Sequence, residues 1–180
     1  KKNYRFNGLV KDGKIEFFKN YNLNKIDFIF EIKDNNLKFN DIKITLNNNT
    51  TLIPELLALK QNEKYLISGK LITNDTRFTK NEINNFLNKD FLKLDIQKIQ
   101  FSSENNFEFK ITKNLKIKDM DIKSNIDLNN LEFKNFLKLE SIFPKIKKNI
   151  IFKNQNLNLT YKKDNLKIVG EGGIFLQNQI

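Results

Sequence analysis

The sequence predicts a mainly β protein, in which hairpins form a curved antiparallel sheet, a β-groove, accompanied by two short helices. Apolar and polar residues alternate over most of the 180 residues, and this period of two places one set of side chains on each face of a sheet. A polar turn leads into the phrase Asn-Leu-Lys three times, in residues 34–39, 113–117 and 163–168. Because one-sided alternation is typical of antiparallel sheets, we expect one face to be apolar.

The first quarter of the chain predicts two hairpins. Asp12-Gly13 follows an alternating stretch and favours a two-residue turn. Residues 26–32 predict a strong strand, and residues 34–36 predict the turn that follows it. The alternation then slips by one residue at Asn40-Asp41, which indicates a β-bulge or a second tight turn.

The middle of the chain predicts a helical turn, a strand and the first helix. Pro54 near the start of residues 52–59 favours a short helical turn, and residues 65–71 alternate as a strand. The first helix is predicted from Thr79 to about Phe91. Thr79 can cap it, and Glu82, three residues later, completes a capping box.

The second half predicts further hairpins and the second helix. Residues 104–106 are expected to turn the chain into a strand that contains Phe107 and Phe109. Apolar residues over 136–146 fit a second helix, and the last hairpin is expected to pair residues 157–161 with 166–170. We expect residues 1–180 to be a single β-rich segment of a longer protein, with 1–91 and 92–180 as its sub-units if it divides.

Composition argues against a nucleic-acid partner. The net charge is +11, but 30 Lys stand against two Arg, and the lysines are dispersed at polar strand positions such as Lys43 and Lys110. Nucleic-acid modules usually concentrate Arg and aromatic residues on one face. We therefore expect a solvated basic face and no nucleic acid, with attraction to anionic lipid headgroups or other acidic surfaces as the alternative.

No residue pattern indicates catalysis or metal binding. His and Cys are absent, which removes the commonest general base, nucleophile pair and transition-metal ligands. Asp119, Asp121 and Asp127 all have odd numbers on a predicted pair of strands, so their side chains could lie on one face and approach one another. Such a group would suit calcium binding or glycosidic acid/base chemistry. We interpret these three residues as part of the solvent-exposed face of the strands. We therefore expect no catalytic residue, metal or cofactor.

Five segments resemble the AsmA-like family of bacterial envelope proteins, the group that includes TamB and YhdP. In residues 6–15 a strand leads into a turn with Gly, as in that family. Residues 23–28 and 36–44 resemble its pattern of a Lys-Ile-Asp phrase followed by an alternating strand, and residues 125–128 and 163–172 are similar in style.

This resemblance implies a long, taco-shaped sheet whose apolar groove shields phospholipid acyl chains for transport between membranes. It also implies a periplasmic position in the bacterial cell envelope, a parent protein anchored in the inner membrane, and an envelope protein as a further partner. We expect phospholipid or another acyl lipid to lie along the apolar residues of one sheet face. These residues are Phe28, Phe30, Ile32, Phe39, Ile42, Ile44, Phe107, Phe109 and Ile117.

Three other interpretations remain open at this point. One is nucleic-acid binding in the cytosol, which only the net charge of +11 supports. The same Phe, Ile and Leu residues could form an ordinary closed core beneath the two helices. The chain could also be a β-sandwich-like binding or structural module for a protein or glycan partner, with no role in lipid transport.

Overall fold

The fold is a single antiparallel sheet of nine strands, in which each strand lies beside its neighbours in sequence. The computed structural model describes residues 4–17, 21–46, 49–86, 95–134 and 149–176. The strands are β1 Arg5–Phe17, β2 Tyr21–Lys33, β3 Asn36–Leu46, β4 Asn49–Gln61, β5 Lys64–Thr79, β6 Ile96–Thr112, β7 Ile117–Lys134, β8 Asn149–Lys162 and β9 Asn165–Leu176. The helix α1 spans Lys80–Phe86. The predicted mainly β fold class is confirmed.

Two-residue turns with left-handed backbone join β2 to β3 and β8 to β9. The φ angles are 49° at Asp34 and 68° at Asn35, and they are 50° at Lys163 and 62° at Asp164. Two successive residues with positive φ give a turn whose twist matches that of the flanking strands, and Asp and Asn tolerate this conformation. The turns predicted in these two hairpins are confirmed.

Single residues in the left-handed conformation interrupt five strands without ending them. Their φ angles lie between 43° and 53°, and such insertions bend a strand and increase its twist. The N–H of Asp12 donates to Asp27 Oδ1 at 2.7 Å, and that of Asp75 donates to Ser102 Oγ at 2.9 Å. At these two positions, a side chain of the neighbouring strand satisfies the displaced backbone N–H. The five residues are Asp12, Asp41, Asp75, Asp119 and Asn154.

Three sequence predictions are wrong because strand pairing outweighs the local signal. Asp12-Gly13 lies inside β1, at a register shift between Val10 and Gly13, and does not end the strand. Residues 52–59 are extended in β4, where Pro54 lies within the register shift between β4 and β5, a position that tolerates Pro in a sheet. Residues 104–106 lie within β6 and do not reverse the chain.

The helix α1 begins at the predicted capping box. The backbone N–H and the Oγ1 of Thr79 both donate to Glu82 Oε2, each at 2.8 Å, which satisfies a helix-end donor. Ile83, on the apolar side of α1, is 6% exposed. The expected continuation to Phe91 and the second predicted helix, 136–146, fall outside the described residues.

The chain divides into two compact units, each made from three segments. Unit 1 contains Lys1–Asn74, Ser103–Asn125 and Asn158–Ile168, and unit 2 contains Asp75–Ser102, Ile126–Leu157 and Val169–Ile180. Of the buried apolar residues among those described, Ile26, Ile53 and Ala58 lie in unit 1, whereas Ile83, Leu128, Phe133, Ile150 and Ile151 lie in unit 2. Unit 1 therefore buries few of its apolar side chains. The division into 1–91 and 92–180 stays a prediction.

Candidate functional site

The strand register of unit 1 places most of the predicted lipid-binding residues on one face. Residues directly opposite each other in an antiparallel pair share a face, and Phe30 lies opposite Gly8 on one side and Phe39 on the other. Phe39 in turn pairs with Leu56. We call this side the apolar face. Its members in β2, β3 and β4 are Ile26, Phe28, Phe30, Ile32, Leu37, Phe39, Ile42, Ile44, Ile53, Leu56 and Ala58.

Strand β6 adds Phe107 and Phe109 to the apolar face. Gly69 pairs with Leu56, and the Phe107 ring lies over Gly69, where an added Cβ would come within 2.8 Å of the ring. The Phe109 ring stacks beside it, with 6.0 Å between centroids. Ile117 is the first residue of β7 and is 53% exposed. Eight of the nine predicted residues thus share this face, and Ile117 lies at a strand end.

Phenylalanine rings make the centre of the apolar face continuous. Centroids are 5.8 Å apart for Phe6 and Phe30, 6.1 Å for Phe28 and Phe30, and 5.7 Å for Phe28 and Phe39, within the range of favourable aromatic pairs. The Phe30 ring also lies over Gly8, where a Cβ would collide with it. Phe28, Phe30 and Phe39 are only half-buried, however, and Phe6 is 59% exposed. Phe side chains in closed cores are commonly fully buried, so solvent still reaches these rings.

Two buried hydroxyl groups on this face bond to each other. Thr73 Oγ1 and Ser103 Oγ are 2.9 Å apart, and both residues are buried. Asn105 Nδ2 also donates to Ser103 Oγ at 2.9 Å. Because these polar groups already have partners, this part of the face makes no hydrogen-bonding demand on a ligand.

The opposite side of unit 1, which we call the polar face, carries ion pairs between neighbouring strands. Arg5 and Glu31 join β1 to β2, with 3.0 Å between Nη2 and Oε2. Four further pairs occupy later strands. They are Lys38–Glu55, Lys70–Glu104 at 2.6 Å, Lys110–Asp119 at 2.8 Å and Lys162–Asp121 at 2.6 Å. Exposed pairs of this kind add little stability, but they identify the charged side of the sheet.

Two of the three carboxylates that the sequence raised as candidates, Asp119 and Asp121, belong to these ion pairs. The third, Asp127, is exposed on β7. The hydrogen bond from Lys110 lowers the pKa of Asp119, and the one from Lys162 lowers the pKa of Asp121, because each stabilises the charged carboxylate. Within the described ranges, no group of three or more His, Cys, Asp or Glu residues could hold a metal ion. The same ranges contain no helix that is long and apolar enough to cross a membrane.

Sequence reasoning missed four contributors to the apolar face. Three of them, Ile53, Leu56 and Ala58, belong to residues 52–59, for which a helical turn was expected, so the alternation there was not assigned to a sheet face. Phe6 shows the right alternation, but its contact with the Phe30 ring depends on the register of β1 with β2. That register pairs Phe6 with Ile32 and Gly8 with Phe30. Sequence reasoning could have found Ile53 and Leu56 by examining residues 52–59 as a strand whose alternation shifts by one residue at Pro54.

The chain has no match among protein-family models, curated proteins or solved structures. Its function is therefore argued from the chemistry of the two faces of unit 1.

Proposed function

We propose that the apolar face of unit 1 binds the acyl chains of phospholipid or of another acyl lipid. In this proposal the chain is a segment of an envelope protein of the AsmA-like kind that shields acyl chains on their way between membranes. The observation that carries it is a half-buried aromatic and aliphatic face, present from β2 to β6, on a sheet whose other face holds ion pairs.

An acyl chain fits this face because it has no polar groups to satisfy. Each methylene that leaves water contributes about 0.8 kcal/mol, and the rings of Phe28, Phe30 and Phe39 supply a surface for it. The Thr73 and Ser103 hydroxyls already bond to each other. A glycan would need donors and acceptors that converge on it, which this part of the face does not offer.

The proposal includes the cellular setting that the sequence resemblance implies. The parent protein would be anchored in the inner membrane, this segment would lie in the periplasm, and an envelope protein would be a further partner. The AsmA-like segments 23–28 and 36–44 lie within strands β2 and β3, which contribute six of the nine predicted lipid-binding residues. The resemblance and the apolar face therefore rest on the same part of the chain.

Photo-crosslinking in the cell envelope tests the proposal. Crosslinkers at Phe30, Ile44 and Phe109 should capture phospholipid, because these residues lie on the apolar face. A crosslinker at Lys43, on the polar face, should not. Captured lipid is identified by mass spectrometry, and each variant must first retain the melting temperature of the parent. Equal capture from both faces, capture of protein alone, or no lipid on the apolar face would contradict the proposal.

A further inference from the structure

The turn between β6 and β7 holds an exposed leucine in a strained conformation. Leu115 has a φ of 55° and is 83% exposed. A bulky residue rarely adopts this conformation, which Gly and Asn accept readily. An exposed leucine also gains nothing by hydrophobic burial. Neither the turn geometry nor packing within the described residues explains a leucine at this position.

Hydrogen bonds hold the leucine in place. The N–H of Leu115 donates to the carbonyl oxygen of Thr112 at 2.9 Å, and the N–H of Thr112 donates to the carbonyl oxygen of Lys116 at 3.0 Å. The N–H of Lys116 donates to Thr112 Oγ1 at 3.2 Å. The side chain is thus presented by a closed turn, which lowers the entropy lost when it meets a partner.

Lysines surround this turn. Lys113 Nζ lies 2.7 Å from Glu63 Oε1, which links the turn to the one between β4 and β5. The pKa of Asp119 is lowered chiefly by the hydrogen bond from Lys110 and further by the nearby charges of Lys64 and Lys118. We call this region the basic tip. It consists of Lys64, Lys110, Lys113, Lys116 and Lys118, the two carboxylates Glu63 and Asp119, and the exposed apolar residues Leu115 and Ile117.

Further exposed apolar residues follow in the adjacent hairpin. The ion pair between Lys162 and Asp121, 2.6 Å long, places the end of β8 beside the first part of β7. Leu166 and Ile168, just past the following turn, are 59% and 56% exposed. Excess positive charge and exposed aliphatic side chains therefore occur together at one end of unit 1.

We propose that the basic tip docks on a membrane surface that contains anionic phospholipid, with Leu115 entering the boundary between headgroups and acyl chains. Lysines near an anionic membrane are attracted to the phosphates, and an aliphatic side chain adds the energy of leaving water. A nucleic acid would also attract the lysines, but bases stack on aromatic side chains and the tip offers aliphatic ones. This inference is independent of acyl-chain binding, since a protein can dock on a membrane without extracting lipid from it.

Tryptophan fluorescence reports this docking directly, because the chain has no Trp. Leu115→Trp should shift its emission to the blue with vesicles of equal parts phosphatidylglycerol and phosphatidylcholine, and brominated acyl chains should quench it. Phosphatidylcholine vesicles should produce a much smaller shift. Leu9→Trp is the matched control, because Leu9 is 69% exposed on β1 and lies outside the tip. Its emission should not change with either vesicle.

Vesicle flotation with three further variants separates docking from folding. Leu115→Asn suits the positive φ and should melt no lower than the parent. It should nevertheless bind anionic vesicles roughly ten-fold more weakly, because the variant lacks the leucine that would leave water for the membrane. Lys116→Gln combined with Lys118→Gln should weaken binding about five-fold for each lysine removed. Lys14→Gln combined with Lys25→Gln, the charge-matched control on β1 and β2, should bind like the parent.

Three results would overturn the inference. The first is parent-like vesicle binding by Leu115→Asn, and the second is parent binding that does not distinguish anionic from neutral vesicles. The third is binding to a single-stranded oligonucleotide that depends on Lys116 and Lys118 while vesicles are not bound, which would make the tip a nucleic-acid surface. Loss of acyl capture on the apolar face would leave these outcomes unchanged, so the two proposals fail separately.

Discussion

Replacing Phe30 by Asp should weaken the binding of an acyl-chain probe by roughly a hundred-fold. Phe30 contacts Phe6 and Phe28 and covers Gly8 at the centre of the apolar face. An acyl chain lying there would strip water from the new carboxylate, which has no cation on that face to pair with among the neighbouring residues described. Fluorescence of cis-parinaric acid, which rises when its chain leaves water, measures the affinity.

Ile29→Asp is the matched control for this experiment. Ile29 precedes Phe30 on β2, points to the polar face and is 46% exposed, so the same charge is introduced where water can solvate it. This variant should bind the probe like the parent. Both variants must keep the circular dichroism and melting curve of a folded sheet. Equal losses of affinity in two folded variants, or no loss in either, would count against an acyl-binding apolar face.

The second large effect concerns stability and separates an open face from a closed core. Ile26 is 4% exposed, and Ile26→Ala should lower the free energy of unfolding by about 3 kcal/mol, as expected for a buried aliphatic side chain. Phe30→Ala should lower it by only about 1–2 kcal/mol, because the half-buried ring has less contact to lose.

Urea denaturation of the two variants measures both differences. In a closed core, Phe→Ala would cost about 3–5 kcal/mol. A loss for Phe30→Ala that equals or exceeds the loss for Ile26→Ala would therefore show that Phe30 belongs to such a core. The acyl-binding proposal would then lose its accessible surface.

The sheet and most of its apolar face could be predicted because their signal is local. Alternation along β2 and β3 places Phe28, Phe30 and Phe39 on one side whatever strands lie beside them. The turn at Asp34-Asn35 was also predictable, since both residues tolerate positive φ. Asp12-Gly13 carries the same local signal but forms a bulge, because β2 continues to pair with the residues after it.

The contacts between strands could not be predicted, because they depend on register. The partners Lys38 and Glu55 lie 17 positions apart in the printed sequence, and their ion pair follows from the alignment of β3 with β4. The repeated phrase Asn-Leu-Lys is equally ambiguous. Its leucine lies in a strand at Leu37 and Leu166 but in the turn at Leu115, because the connection after β6 is longer than the other two.

A spin-labelled acyl chain and methyl NMR test the central claim most directly. The isoleucines of unit 1 report on both faces, since Ile32, Ile42 and Ile44 lie on the apolar face and Ile29 and Ile72 on the polar face. A stearic acid that carries a nitroxide on its chain should broaden the methyl signals of Ile32, Ile42 and Ile44 and leave those of Ile29 and Ile72 sharp. Equal broadening on both faces, or sharp signals throughout the apolar face at saturating probe, would contradict the account.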